Sequence, residues 1–166
     1  MTKEKCSKKM ALVERLGVHL ESKNNLAPVA ARIMAYIILT GKRGTTFDEL
    51  VEVLCASKST ISTHLNHLQD LKKIEYFTKT GDRKKYFVVN KDSVLNHIDT
   101  MMDEWESVKA LHLEMKAYKE AINENATEED EKFDLIFHNN YLKFIASASA
   151  SMKELKENLI KNKFNI

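Results

Sequence analysis

Between Thr46 and Leu71 the chain carries two apolar stripes in quick succession, and they leave few choices of fold. Phe47, Leu50, Val51 and Leu54 recur at i, i+3, i+4 and i+7, which predicts a helix of barely two turns. Cys55 and Ala56 interrupt the pattern. Ser57 starts a second helix whose inner face holds Ile61, Leu65, Leu68 and Leu71. Two short amphipathic helices joined by a turn of a few residues read as a helix-turn-helix. Thr46 offers an N-cap to the first of them, and Glu49, three residues on, completes a capping box.

The flanking segments extend this reading. Val13, Leu16 and Leu20 predict a first helix over Lys3–Leu20, with a polar connector to Leu26. Pro28 sits where a first helical turn accepts it. The helix it opens, Pro28–Thr40, is apolar almost all round (Val29, Ile33, Met34, Ile37, Ile38) and is expected to be buried on most sides. Gly41-Lys42-Arg43-Gly44 is a turn. Beyond the helix pair, Ile74–Lys79 and Tyr86–Val89 are rich in β-branched and aromatic residues, with Thr80-Gly81-Asp82-Arg83-Lys84-Lys85 as the hairpin connection. A basic hairpin directly after a helix-turn-helix is the arrangement of a winged helix.

From Asp92 the chain returns to helix. Val94, Ile98, Met101, Trp105, Val108, His112, Met115 and Ile122 form a heptad seam, with Lys119 at one of its positions. Asn123–Thr127 breaks it. Glu128–Asp130 supplies acids suited to a helix N-terminus, and a last helix presents Phe133, Phe137, Tyr141, Phe144, Ala148, Met152, Leu155 and Leu159. The expected fold is therefore mainly α with a small β-hairpin wing, a winged helix-turn-helix plus long dimerisation helices. Its parts are an N-terminal helix (1–26), a winged helix-turn-helix domain (27–91) and a helical region (92–166).

Charge separates front from rear. Residues 1–91 hold 17 Lys and Arg against 9 Asp and Glu, whereas residues 92–166 hold 9 against 15. A basic front can approach a polyanion that an acidic rear would repel. The longest apolar run, near Ala35–Leu39, is too short for a bilayer span. The first residues lack the apolar core of a secretory signal. Cys6 and Cys55 show neither CxxC nor Cys/His spacing, which argues against a disulfide framework or a zinc site. The expectation is a soluble cytoplasmic protein without cofactor or metal. It is not expected to be an enzyme, since no phosphate loop, paired ligands or nucleophile with a base is present. Cys55 reads as a buried, inert thiol in preference to a redox switch.

At ~100° per residue, a second helix with Ile61, Leu65 and Leu68 inward turns Ser59, Ser62, Thr63 and Asn66 outward, with Thr60, His67 and Lys58 on the flanks. A helix that enters a major groove needs short groups that let the backbone come close and hydrogen-bonding groups for base edges. Asn66 suits adenine, Thr63 a thymine methyl, and Ser57, Ser59 or Ser62 phosphates. Lys58 adds charge at a helix N-terminus that already favours anions. An ordinary solvated face would carry Glu, Lys and Gln in place of the Ser/Thr cluster at Ser57–Thr63. On the hairpin, Arg83 can enter a minor groove while Lys84 and Lys85 meet flanking phosphates, and Asp82 is placed to orient Arg83.

The runs Thr45-Thr46-Phe47-Asp48-Glu49-Leu50, Ala56-Ser57-Lys58-Ser59-Thr60-Ile61-Ser62, Ile74-Glu75-Tyr76-Phe77 and Gly81-Asp82-Arg83-Lys84-Lys85-Tyr86-Phe87 resemble the multiple-antibiotic-resistance-regulator (MarR) superfamily. They are most similar to its GbsR-like branch, the repressors of glycine betaine synthesis, over about Leu16 to Val89. The resemblance implies a homodimeric transcription regulator, a repressor, on a pseudo-palindromic operator in double-stranded DNA, with 27–91 as its DNA-binding domain, the N-terminal helix (1–26) as part of the dimer interface and 92–166 as the dimerisation region. It also implies a small-molecule effector. The dimerisation residues are then Val94, Ile98, Met101, Trp105, Val108, His112 and Met115, unless the seam packs only within one chain against the last helix. Trp105, Tyr118, Phe137 and Tyr141 could line a pocket for a quaternary ammonium effector through cation–π contact, although aromatics at helical spacing also read as plain core. His112 is expected as a hydrogen-bonded interface residue. The tract Ala146–Ser151 permits close helix approach. The competing reading is a winged-helix adaptor that binds protein, which would show an apolar patch in place of the Ser59–Asn66 face. RNA binding would call for exposed aromatics on strands, and alternation sends at least half of Tyr76, Phe77, Tyr86 and Phe87 to the core.

Overall fold

A computed structural model of the chain describes residues 3–162, with side chains from residue 7 onward, so the thiol of Cys6 lies outside the described residues. Six helices and a small sheet follow one another in the order α1 (Lys3–Asn24), α2 (Pro28–Thr40), β1 (Thr45–Thr46), α3 (Phe47–Leu54), α4 (Lys58–Asp70), β2 (Ile74–Thr78), β3 (Lys85–Val89), α5 (Lys91–Asn125) and α6 (Ile136–Lys161). Single 3-10 turns lie at Gly41–Arg43 and Glu129–Glu131. The chain divides into two compact units, one up to Ser93 and one from Val94. No helix among the described residues is long and apolar enough to cross a membrane.

In the first unit α2 is the central post. Ala30, Ala31, Ile33, Ala35, Tyr36 and Ile37 are buried, while Val29, Met34 and Ile38 remain partly open. α1 runs one turn further than its apolar spacing predicts, to Asn24, and Asn25 stops it in the left-handed region at φ 49°. Val13 is fully enclosed. A Cβ on Gly17 would lie 2.9 Å from Cγ of Arg32, so glycine is what lets α1 approach α2 so closely. Arg32 fastens the crossing, pairing with Glu14 at 3.0 Å and Glu21 at 3.3 Å.

The sheet has three antiparallel strands in the order β1-β3-β2, one more than the sequence pattern predicts. β1 is only Thr45–Thr46, opposite Phe87 and Tyr86, and is too short to register as an alternation. Gly44 turns the chain into it at φ 71°, where a Cβ would meet that of Tyr86 at 2.9 Å. β2 pairs with β3 from Ile74↔Val89 to Thr78↔Lys85. Ile74, Phe87 and Val89 face the core, Phe77 and Tyr86 are half-buried and stacked, and Tyr76 is exposed.

The second unit is an antiparallel helix pair. Lys156 on α6 pairs with Asp99 near the start of α5. At the other end Asn123 clasps the backbone of Phe133, donating to its carbonyl at 2.9 Å and accepting from its N–H at 2.7 Å. Two expectations are corrected here. Phe133 precedes α6 instead of lying on it, because Asp134 accepts from Ile136 N–H at 2.7 Å and starts the helix there. The acids of Glu128–Asp130 likewise belong to a separate 3-10 turn and do not lead α6.

Candidate nucleic-acid interface

Local chemistry aims α4. Thr46 Oγ1 accepts from Glu49 N–H at 3.2 Å and caps α3. The capping box is only half made, which corrects the reading above. The Glu49 carboxylate turns away from the cap to accept from Tyr36 OH at 2.8 Å and Arg43 at 2.7 Å, tying α3 to α2 and to the preceding turn. Burial alone would raise this carboxyl, but the Tyr36 hydroxyl and the Arg43 guanidinium together hold it below its ordinary value. Cys55 ends α3 in the left-handed conformation at φ 49°, and its side chain is exposed, not buried as expected. A residue in that conformation at a tight turn points its Cβ outward. Ser57 then caps α4, accepting from Thr60 N–H at 3.1 Å.

Ile61, Leu65 and Leu68 face inward from α4 as the pattern requires. Leu71 does not join them and is 46% exposed, because it is the C-cap residue and Lys72 already leaves the helix at φ 54°. Ser59, Ser62, Thr63, Asn66 and His67 are exposed on the outer face, with Lys58 exposed at its first turn and Thr60 half-buried. Ser57 Oγ lies 2.9 Å from Ser59 Oγ and 2.8 Å from Thr60 Oγ1, so these three hydroxyls form a small network around the cap. Ser62, Thr63 and Asn66 have no such commitment among the described residues.

The wing is braced from within. Asp82 accepts from Tyr86 OH at 2.6 Å and from Lys84 N–H at 2.9 Å. The tyrosine hydroxyl, then the Lys84 backbone, hold the Asp82 carboxyl below its usual value, and Tyr86 is raised in return. Asp82 therefore orients Tyr86 and the tip backbone, not Arg83 as expected, because the Tyr86 hydroxyl opposite occupies its carboxylate. Lys79 Nζ sits 3.7 Å above the Tyr86 ring and Lys85 Nζ 4.0 Å above Tyr76. Lys84 pairs with Asp48 at 3.7 Å. Arg83 is exposed and makes no hydrogen bond or ion pair among the described residues.

Between α4 and the wing lies a cleft of about 290 Å³ with Phe47, Leu65 and Phe87 as apolar lining and Ser62, Asn66, Gln69 and Lys85 as polar lining. Gln69 was not singled out from the sequence. Its one signal is its position three residues beyond Asn66, on the side that turns to the hairpin.

In the second unit the seam positions are half-buried, apart from buried Ile98 and Val108 at 38% exposure. His112 bonds within its own chain, Nδ1 to Nδ1 of His138 at 3.0 Å. The four aromatics of the expected pocket do not converge. Phe137 and Tyr141 stack with centroids 5.7 Å apart and His112 lies against both. Tyr118 is 67% exposed and borders a separate depression with Ala121, Ile122 and Asn125, and Trp105 joins no ring contact among the described residues. Phe137, Phe144 and Leu155 share one face of α6 and stay 65%, 62% and 47% exposed.

One solved structure aligns with nearly the whole chain, and others align with about two thirds of it. A crystal structure described as a transcriptional regulator aligns with 93% of this chain and 99% of its own at a TM-score of 0.50 and 19% identity. A Staphylococcus aureus MepR–DNA complex aligns with 68% of this chain and 93% of its own at 0.41 and 18% identity. A mutant of the same protein bound to an oligodeoxyribonucleotide aligns with 71% and 98% at 0.42 and 15% identity. At these identities the likeness to the first is one of fold. No protein-family model and no curated protein matches the chain.

Proposed function

We propose that this chain is a sequence-specific DNA-binding transcription regulator, a MarR-like repressor of the GbsR type that acts as a homodimer on a pseudo-palindromic operator. One observation carries the reading. The outer face of α4 is short, polar and uncommitted at Ser62, Thr63 and Asn66, and the wing of the same compact unit holds out an uncommitted guanidinium, Arg83. α4 would lie in the major groove and Arg83 in the adjacent minor groove, with Lys58, Lys84 and Lys85 near phosphates. The fold shared with a transcriptional regulator supports this assignment. An adaptor would need an apolar patch on that face, whereas none of the exposed large apolar side chains among the described residues lies on α4.

The second copy is assigned to the exposed stripe on α6. Phe137, Phe144 and Leu155 leave large apolar side chains in water along one face of α6, which a partner helix would cover. Ala148 and Ser151 lie between them and allow close approach. Light scattering should give a dimer at micromolar concentration and a monomer for Phe144→Glu; a monomeric parent protein would overturn the assignment. The aromatic effector cage is not part of the proposal, since Trp105 and Tyr118 stand apart from Phe137 and Tyr141.

Selection of bound sequences from a random double-stranded pool tests the whole reading. Enriched half-sites should be related by two-fold symmetry with centres about 10 bp apart, or a multiple of that; an unenriched pool refutes it. On the selected site, Arg83→Ala should weaken binding and lower the salt slope by about 1. Equal affinity across a salt titration would remove Arg83 from the interface.

A further inference from the structure

His138 is the only histidine, carboxylate or basic side chain that is buried among the described residues, at 4% exposure. Both of its ring nitrogens are engaged by α5. Nδ1 meets His112 Nδ1 at 3.0 Å, and Nε2 meets Lys119 Nζ at 3.0 Å. A lysine ammonium has donors and no acceptor. His138 Nε2 must therefore accept, which puts the ring's one proton on Nδ1. That proton is donated to His112 Nδ1, so His112 carries its own proton on Nε2. Only this arrangement satisfies all three groups, and both imidazoles are neutral in it.

No protonated form keeps both bonds. A second proton on His138 places an N–H against the Lys119 ammonium, two like charges 3.0 Å apart. A second proton on His112 sets N–H against N–H unless His138 changes tautomer, and the new tautomer loses Lys119. The groups facing His138 from α5 are His112, Lys116 and Lys119. On its own side of the pair, Asp134 is turned to the N–H of Ile136, and the Tyr141 ring lies 4.2 Å from His112. The Phe137 ring lies 5.8 Å from His112 and 5.9 Å from His138, so that side offers ring faces and no carboxylate.

We infer that His112, His138 and Lys119 form a proton-operated clasp that holds α5 and α6 together while both imidazoles are neutral and releases them when either takes up a proton. Burial first, then Lys119, His112 and Lys116, hold His138 below the ordinary histidine value of 6.5. A lowered folded value means that the unfolded chain takes up the proton first. The clasp's stability is thus complete above pH 6.5, declines as pH falls from there through the lowered value, and is flat below it. Where α6 carries the dimer stripe, a consequence that rests on the function proposed above, acidification would loosen the dimer and free the operator.

The test uses the full-length protein without DNA. Thermal melting from pH 7.5 to 5.5 should show a downward shift in Tm that His138→Gln largely lacks, since Gln can still donate to His112 and accept from Lys119 but cannot titrate. Lys119→Gln, whose amide can donate to neutral His138 Nε2 or accept from its protonated form, is the second variant should the first fail to fold, and it too should flatten the shift. Imidazole nitrogen shifts at pH 7.5 should report His138 with its proton on Nδ1 and His112 with its proton on Nε2. Parallel shifts in the parent and both variants, or a charged His138 at pH 7.5, would overturn the clasp. Failure here leaves DNA binding untouched, and loss of DNA binding at every pH leaves the melting result standing.

Discussion

Truncating Ile61 to alanine should destabilise the winged-helix unit by about 2–5 kcal/mol. Ile61 has no exposed surface and is one of three inward residues on α4. Its loss removes apolar burial and leaves a cavity that a close-packed surround cannot fill. The measurement is the shift in denaturant midpoint against Ser62→Ala, one residue away and exposed, which should stay within about 0.5 kcal/mol. A shift for Ile61→Ala below about 1 kcal/mol would mean that α4 is not anchored as described. Operator binding should fall with it, because the outer face of α4 is only as well placed as its inner face is packed.

Asn66→Ala should weaken binding to the selected operator by about 1–3 kcal/mol, or roughly 5- to 150-fold, and relax preference at one base pair. Asn66 is exposed, on the uncommitted part of the face, and lines the cleft beside the wing. Its amide can present a donor and an acceptor together to the edge of adenine. The carbonyl and amide carry no charge, so the salt slope should not change, in contrast to Arg83→Ala. Competition binding with single-base operator variants separates the outcomes. An equal loss on every sequence would make Asn66 a backbone contact, and no loss would remove it from the interface.

The elements that repeat were legible in the sequence, and the partnerships between distant residues were not. Period and capping residues located α2, α3, α4 and the hairpin within a residue or two, since these depend on neighbours in sequence. Leu71 was misplaced because periodicity does not announce its own end; the left-handed Lys72 does that. Glu49 fits a capping box locally, yet Tyr36 and Arg43 offer it a better-aligned donor and a charge. Asp82 beside Arg83 suggests a pair, but across the hairpin Tyr86 is the nearer donor. The same limit applied to His138, which carries no local pattern and acquires its surroundings from residues 19 and 26 positions away. For the outer face of α4, by contrast, local pattern was sufficient to place its residues: with Ile61, Leu65 and Leu68 inward, Ser59, Ser62, Thr63 and Asn66 stand exposed as the helical period requires.

The bracing of the wing would bear on the cost of docking under the proposed function. Lys79 and Lys85 rest on tyrosine rings, Lys84 reaches Asp48, and Asp82 holds the tip. Those side chains surrender most of their rotamer freedom when the chain folds. Immobilising a long side chain on binding costs about 0.5–1.5 kcal/mol, and in this hairpin that loss is confined mainly to Arg83. Under the proposed function the hairpin would act as a braced mount with one uncommitted finger, and its preference among minor grooves would depend on how well their width suits one guanidinium.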